Sequence, residues 1–278
     1  MSTAQVNGIE LYYEEHGDTN AEPVLLIMGF MTNAGAWAPQ IAALAPRYRV
    51  VAFDNRGCGR SSQPEGPYTI ALLADDAASL LDHLAIESAH IVGASMGGMI
   101  AQEFALRYAR RVRSLSLLCT TAGGPRSFGY EEMVNASSAL DEAEDFASLN
   151  TPERMQQAML TMFTPEFLQK PNEAFQQTTI TALQYPPSIT GARAQQAAIL
   201  AHDTLDRLPR IPAPTLVTTG EDDGLLDARN SELLAERIPG AELVIFPKLR
   251  HGFNIEDPDA VNETLLTFLA KHSAVGVG

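Results

Sequence analysis

The stretch His90-Ile91-Val92-Gly93-Ala94-Ser95-Met96-Gly97-Gly98 decides the fold. His90 to Val92 reads as a short buried strand ending at Gly93, and Gly98 to Tyr108 reads as a helix, with apolar residues three and four apart from Met99 onward. Between them, Gly93-Ala94-Ser95-Met96-Gly97 fits G-x-S-x-G, a tight strand-to-helix turn that holds a serine oxygen clear of the sheet. Glycines are needed at both flanks because a side chain there would collide with the neighbouring strand or helix. Ser95 is the candidate nucleophile, and the competing reading is a tight turn with an inert serine.

Working outward, Val24 to Met28, Val50 to Phe53 and Leu115 to Cys119 are also apolar throughout, as expected of parallel strands covered on both faces. Ile9 to Glu15 alternates apolar and polar residues and reads as a half-exposed strand at the start of the sheet. Helical spacing marks Trp37 to Leu44, Tyr68 to Leu84 and Met99 to Tyr108. Regular alternation of strand and helix predicts an α/β protein, with a doubly wound, mostly parallel sheet and helices on both faces.

The alternation stops after Thr121. From Gly123 to about Asp206 the chain is Met-, Gln- and Ala-rich, broken at Thr151-Pro152, Thr164-Pro165, Lys170-Pro171 and Tyr185-Pro186-Pro187, and contains no convincing buried strand. Sheet elements resume at Thr215 to Thr219, followed by a helix from Asn230 to Arg237, a strand from Glu242 to Phe246 and a last helix from Pro258 to Lys271. Residues 1–122 and 207–278 are thus expected to form the core, and 123–206 an inserted helical cap or lid. Ser273 to Gly278 is expected to fray.

Histidine is the side chain best suited to take a serine proton at neutral pH and return it to a leaving group. Of six histidines, His251 alone follows the last predicted strand, in Arg250-His251-Gly252-Phe253, at the sheet edge that carries Ser95. His16, His83, His90, His202 and His272 are better read as structural or surface residues. The orienting carboxylate should follow the preceding strand, where Glu221, Asp222 and Asp223 compete. Backbone donors for a developing oxyanion are expected from Met96, the residue after the nucleophile, and from Phe30, in the loop where Met28-Gly29 ends an apolar run. Met28, Phe30, Met31 and Met96 would then line an apolar acyl pocket, with Gly29 allowing the backbone to approach, or else simply pack in the core.

The bulk numbers agree with a globular enzyme: 278 residues, 45% hydrophobic and 19% charged. The net charge of −15 disfavours nucleic-acid and anionic-membrane partners. No apolar stretch is long enough to span a bilayer. No secretory signal is visible at the start, so a cytoplasmic location is expected. Cys58 and Cys119 lack metal-ligand spacing and read as reduced thiols, so neither a metal nor a cofactor is expected. A homodimer is left open.

With these pieces placed, the sequence resembles the α/β-hydrolase superfamily from Gly8 to about Leu269. The residues that carry the resemblance are Phe53-Asp54-Asn55-Arg56-Gly57-Cys58-Gly59-Arg60-Ser61-Ser62, Gly93 to Gly98, Pro214 to Asp223, and Leu234 to Ala241. The resemblance implies an eight-stranded sheet. It also implies an acid at the third residue after the glycine ending the seventh strand, which is Asp223, with Asp222 second. Relatives commonly have His-Gly where this chain has Met28-Gly29, a difference that resembles the aclacinomycin methylesterase-like branch. Asp54 to Ser62 reads as a structural turn.

The implied reaction is hydrolysis of small, mainly uncharged carboxylic esters, such as methyl or aryl esters, through an acyl-enzyme at Ser95. A serine nucleophile disfavours haloalkane dehalogenase and epoxide hydrolase chemistry, which needs a carboxylate in that place. Alternatives on the same fold are an enol-lactonase, a carbon-carbon bond hydrolase and a cofactor-free perhydrolase. A non-enzymatic ligand-binding module is a further alternative. Met162, Phe163 and Tyr185 are the candidate pocket residues from the insert.

Overall fold

The computed structural model describes residues 2–143, 151–186 and 188–273. Pro187 and the 274–278 end of the expected frayed tail lie outside the described residues. Eight strands form one sheet: β1 (Ser2–Val6), β2 (Ile9–His16), β3 (Pro23–Ile27), β4 (Arg49–Phe53), β5 (Ala89–Ala94), β6 (Val112–Leu118), β7 (Thr215–Gly220) and β8 (Glu242–Phe246), in the order β1-β2-β4-β3-β5-β6-β7-β8. β2 runs antiparallel to β1 and β4, and every other pairing is parallel.

The strands β3 to β7 fall where apolar runs are found, and β3, β4 and β5 are almost wholly buried. β1 is an addition to the sequence reading. It is a mostly exposed edge strand, joined to β2 by Asn7-Gly8, both at positive φ (45° and 77°), as a two-residue hairpin turn requires.

Strand order reverses between β3 and β5, because β4 lies on one side of β3 while β6 to β8 continue on the other. In a doubly wound sheet, the crevice for a ligand opens at the carboxyl ends of the strands at such a switch point. The segments after β3 and β5, which contain Gly29 and Ser95, meet there.

Helices α1 (Ala38–Leu44), α2 (Ile70–His83) and α3 (Met96–Arg107) follow β3, β4 and β5. Between β6 and β7 come α4 (Tyr130–Glu142), α5 (Pro152–Met162), α6 (Pro165–Gln169), α7 (Glu173–Gln184) and α8 (Ile189–Leu200). α9 (Arg229–Arg237), α10 (Phe253–Glu256) and α11 (Pro258–Lys271) complete the chain. The Thr-Pro pairs of the insert are helix starts: Thr151 and Thr164 accept backbone N–H bonds from Arg154 and Phe167, and proline takes the first helical position.

The apolar core divides at the sheet. Val24, Leu26, Trp37, Leu44 and Phe268 fill the side covered by α1 and α11, and Leu25, Ile27, Leu73, Leu80 and Phe104 the side covered by α2 and α3. His272, just before the expected frayed tail, packs edge-on against Phe268 at 4.8 Å. Among the described residues, no helix is long and apolar enough to cross a membrane.

Candidate active site

Ser95 sits between β5 and α3 at φ 56° and ψ −123°, a conformation a non-glycine residue holds only under constraint. The constraint is the approach of three backbones. A Cβ built on Gly93 would lie 2.2 Å from the Gly97 oxygen, and one on Gly97 would lie 2.0 Å from the Ile27 oxygen. Both flanking glycines of the motif are therefore required sterically. Ser95 N–H donates to the Leu118 oxygen at 2.9 Å, and the Thr120 hydroxyl donates to the Ser95 oxygen at 2.7 Å. Thr120, buried at the end of β6, was not singled out from sequence, where a lone threonine after an apolar run gives no signal.

The loop after β3 closes on the serine. A Cβ on Gly29 would stand 2.9 Å from the Ser95 Cβ and 3.4 Å from its Oγ. Thr32 N–H donates to the Gly29 oxygen at 3.3 Å, which makes residues 29–32 a turn, and Met31 occupies its third position at φ 54°. Asn55 Nδ2 holds the Met28 oxygen at 2.7 Å. Among the described residues, neither Phe30 N–H nor Met96 N–H has a hydrogen-bond partner. Both are free to serve an oxyanion, and Met96 opens α3, whose N-terminus adds partial positive charge.

His251 lies after β8 and is 4% exposed. Its Nδ1 is 2.8 Å from Asp223 Oδ2, and the Asp223 side chain is fully buried. The other carboxylate oxygen, Oδ1, accepts the N–H groups of Leu225 and Leu226 at 2.8 and 2.9 Å. Asp222 and Glu221 are exposed, and Glu221 instead accepts Lys248 N–H. The end of β6 joins this pair to the serine: Leu118 binds Ser95 N–H, and burial raises the Cys119 thiol well above its ordinary value, helped by the Asp223 charge. Burial likewise pushes the Cys58 thiol up to about 12, so both cysteines are inert packing groups.

The four expected pocket residues at the two loops separate. Met28 belongs to the core on the α1 side, whereas Met96 belongs to the core on the α2 side, with Phe30 packed against it. Met31 is half-buried. Of the candidates from the insert, Phe163 is buried, stacks on Phe167 at 5.3 Å and meets Phe175 edge-on at 5.0 Å. Its ring covers Gly252, where a Cβ would come within 2.2 Å of it, and the Met162 oxygen accepts Gly252 N–H at 2.7 Å. Tyr185 lies over Arg60, 5.1 Å from ring centre to guanidinium carbon.

Asp54 to Ser62 is a turn held from within. The buried Asp54 carboxylate accepts Ala34 N–H at 2.7 Å and Arg60 N–H at 2.8 Å and pairs with the Arg60 guanidinium. The insert contacts each of the three loops around the serine: Gln195 reaches Met31 and Arg56, Gly191 abuts Gly57, and Met162 and Phe163 meet Gly252 beside His251.

Residues 22–258 match the alpha/beta hydrolase fold family. A protein of Azorhizobium caulinodans named "Putative carbamate hydrolase RutD" is 33% identical over 96% of this chain and 98% of its own length. The crystal structure of the enol-lactonase from Burkholderia xenovorans superposes with a TM-score of 0.85 at 32% identity, covering 97% of this chain and all of that one. A thermophilic esterase from Thermogutta terrifontis superposes with a TM-score of 0.84 at 26% identity over 98% of this chain and 99% of that one. The chain belongs to the α/β-hydrolase fold family of hydrolases.

Proposed function

We propose that the protein hydrolyses small, mainly uncharged carboxylic esters through an acyl-enzyme at Ser95, with His251 as base, Asp223 as its orienting acid and Phe30 and Met96 N–H as oxyanion donors. The observation that carries this reading is the buried 2.8 Å bond between His251 Nδ1 and Asp223 Oδ2. An imidazole that donates from Nδ1 keeps its lone pair on Nε2, the tautomer a general base needs.

Ser95 Oγ forms a bond to the carbonyl carbon as its proton passes to His251 Nε2. The carbonyl oxygen becomes an anion, which Phe30 and Met96 N–H bind. Collapse expels the alcohol, which takes the proton from His251. Water repeats the sequence on the acyl-enzyme and releases the acid. We read the helices of 123–206 as a lid, since they touch the loops after β3, β4 and β8, with Phe163 covering Gly252 beside His251.

A second reading has specific support, because one relative is named for carbamate hydrolysis and a solved neighbour for enol-lactone hydrolysis. All three reactions are acyl transfers that the same groups can perform. Phe30 and Met31, apolar and half-buried in the loop that abuts Ser95, favour the apolar acyl group of a simple ester. The test is a panel of 4-nitrophenyl esters, an enol lactone and a carbamate, assayed with wild type and Ser95→Ala. Turnover of the esters that Ser95→Ala abolishes is the expected result. Selective turnover of the lactone or the carbamate replaces the ester reading. Turnover retained by Ser95→Ala removes the serine mechanism altogether. Failure of a fluorophosphonate to label Ser95 in folded protein would favour a ligand-binding module.

A further inference from the structure

Gln195, in α8 of the insert, is 0% exposed, yet it lies 164 positions along the chain from the loop it serves. Its Oε1 accepts Met31 N–H at 3.0 Å and its Nε2 donates to the Arg56 oxygen at 2.8 Å. Its orientation is fixed chemically, since an N–H needs the oxygen and a carbonyl needs the NH2. Both amide ends of one buried side chain thus tie the loop after β3 to the turn after β4.

Met31 holds the third position of the 29–32 turn at φ 54°, where glycine or asparagine is the usual occupant. A methionine there does not favour this turn by itself. What distinguishes it from the commoner turn without positive φ is the orientation of the central peptide, Phe30–Met31. That peptide is gripped at both ends, by Gln195 on Met31 N–H and by the Thr32 hydroxyl on the Phe30 oxygen at 3.0 Å. Phe30 N–H belongs to the preceding peptide, Gly29–Phe30, whose oxygen accepts Thr32 N–H at 3.3 Å, so the clamp on Met31 and the closing bond of the turn together keep that peptide against Ser95.

We infer that Gln195 is a positioning residue for the oxyanion hole: its grip on Met31 N–H keeps the 29–32 turn closed and seated, and so keeps Phe30 N–H directed at the reacting carbonyl. The inference rests on the Ser95 acyl-enzyme reading given above. It makes the insert part of the catalytic geometry: displacing α8 releases the Met31 clamp, so lid seating and oxyanion binding are coupled through one side chain. The binding of the ground-state ester, which does not need the hole fully formed, depends on it much less.

The experiment compares wild type, Gln195→Met, which loses the acceptor for Met31 N–H, and Gln195→Glu, which keeps one. Steady-state hydrolysis of 4-nitrophenyl acetate and inhibition by phenylboronic acid, whose tetrahedral adduct places an oxygen in the hole, are measured on each, with folding checked by circular dichroism. Gln195→Met is expected to lower kcat by about 10- to 100-fold, less than the roughly 10²- to 10³-fold cost of deleting an oxyanion donor outright. KM should stay within about threefold, and boronate affinity should fall in step with kcat. Gln195→Glu should recover most of both losses. The inference is overturned if Gln195→Met keeps kcat within twofold, if kcat falls while boronate affinity does not, or if Gln195→Glu is as impaired as Gln195→Met. Should Gln195→Met not fold, Thr32→Val, which releases the hydroxyl grip on the Phe30 oxygen at the other end of the same peptide, decides by the kcat and boronate criteria stated for Gln195→Met. Retained turnover in Ser95→Ala would instead remove the underlying mechanism, a result separate from any of these.

Discussion

His251 Nδ1 and Asp223 Oδ2 stand 2.8 Å apart with both side chains buried, and the second carboxylate oxygen is saturated by Leu225 and Leu226 N–H. The carboxylate is therefore fixed as an acceptor, and it dictates which imidazole nitrogen carries the proton. Asp223→Asn keeps the shape but offers an NH2 that can invert that tautomer. We expect kcat to fall by about 10³- to 10⁴-fold with near-wild-type stability, measured by steady-state kinetics and thermal unfolding. A loss below tenfold would move the acid's role elsewhere.

The acid marks a limit of what local sequence carries. Three adjacent acids follow β7, and local pattern offers no means of ranking them. Family position points to Asp223, and its real distinction is the loop geometry that buries its side chain while Asp222 stays exposed. Ser95 and its glycines were legible because the steric demand lies within five residues. β1 was legible in principle, through Asn7-Gly8 between Val6 and Ile9, but only two of its five side chains are buried, too few to make an apolar pattern. Gln195 was not legible: Gln195 and Gln196 are identical side chains on a helix, and only tertiary packing buries the first completely.

Ser95 spends stability on its position. At φ 56° and ψ −123° the residue carries strain on the order of 1–3 kcal/mol, which glycine would not, although glycine also loses more chain entropy on folding. Ser95→Gly should accordingly be inactive yet more stable by about 1 kcal/mol, raising Tm by roughly 2–4 °C in calorimetry. A lower Tm would mean that the elbow is not strained by its backbone.

Two glycine positions separate crowding from conformation. An alanine Cβ at Gly97 would sit 2.0 Å from the Ile27 oxygen, a backbone atom that cannot move without shifting β3. Gly97→Ala should cost more than about 4 kcal/mol or yield insoluble protein. Gly240 has φ 71° but nothing within 4 Å of a built Cβ. Gly240→Ala should therefore cost only about 1–2 kcal/mol, the left-handed penalty alone. Urea unfolding of the two variants tests the contrast, and equal losses would refute it.

His202 gives the root of the insert a pH dependence whose sign can be worked out. Its ring is buried, its Nε2 has no hydrogen-bond partner among the described residues, and burial pushes its pKa from the ordinary 6.5 down to about 4, against a smaller opposing effect of Glu103. Its neighbour Asp203 forms the bridge to Gly123 that joins the two ends of the insert. Between pH 6.5 and 4 the unfolded chain binds a proton at this residue and the folded chain does not. Stability is therefore retained above pH 6.5 and lost progressively as pH falls through that window, by roughly 3 kcal/mol in all. Burial lowers His90 as well, so that residue contributes with the same sign. Replacing His202 by glutamine removes its share of the slope while leaving that of His90. Urea midpoints measured between pH 7 and 5 should thus fall less steeply in His202→Gln than in wild type, and parallel slopes would show that this imidazole is solvated or paired in the folded protein.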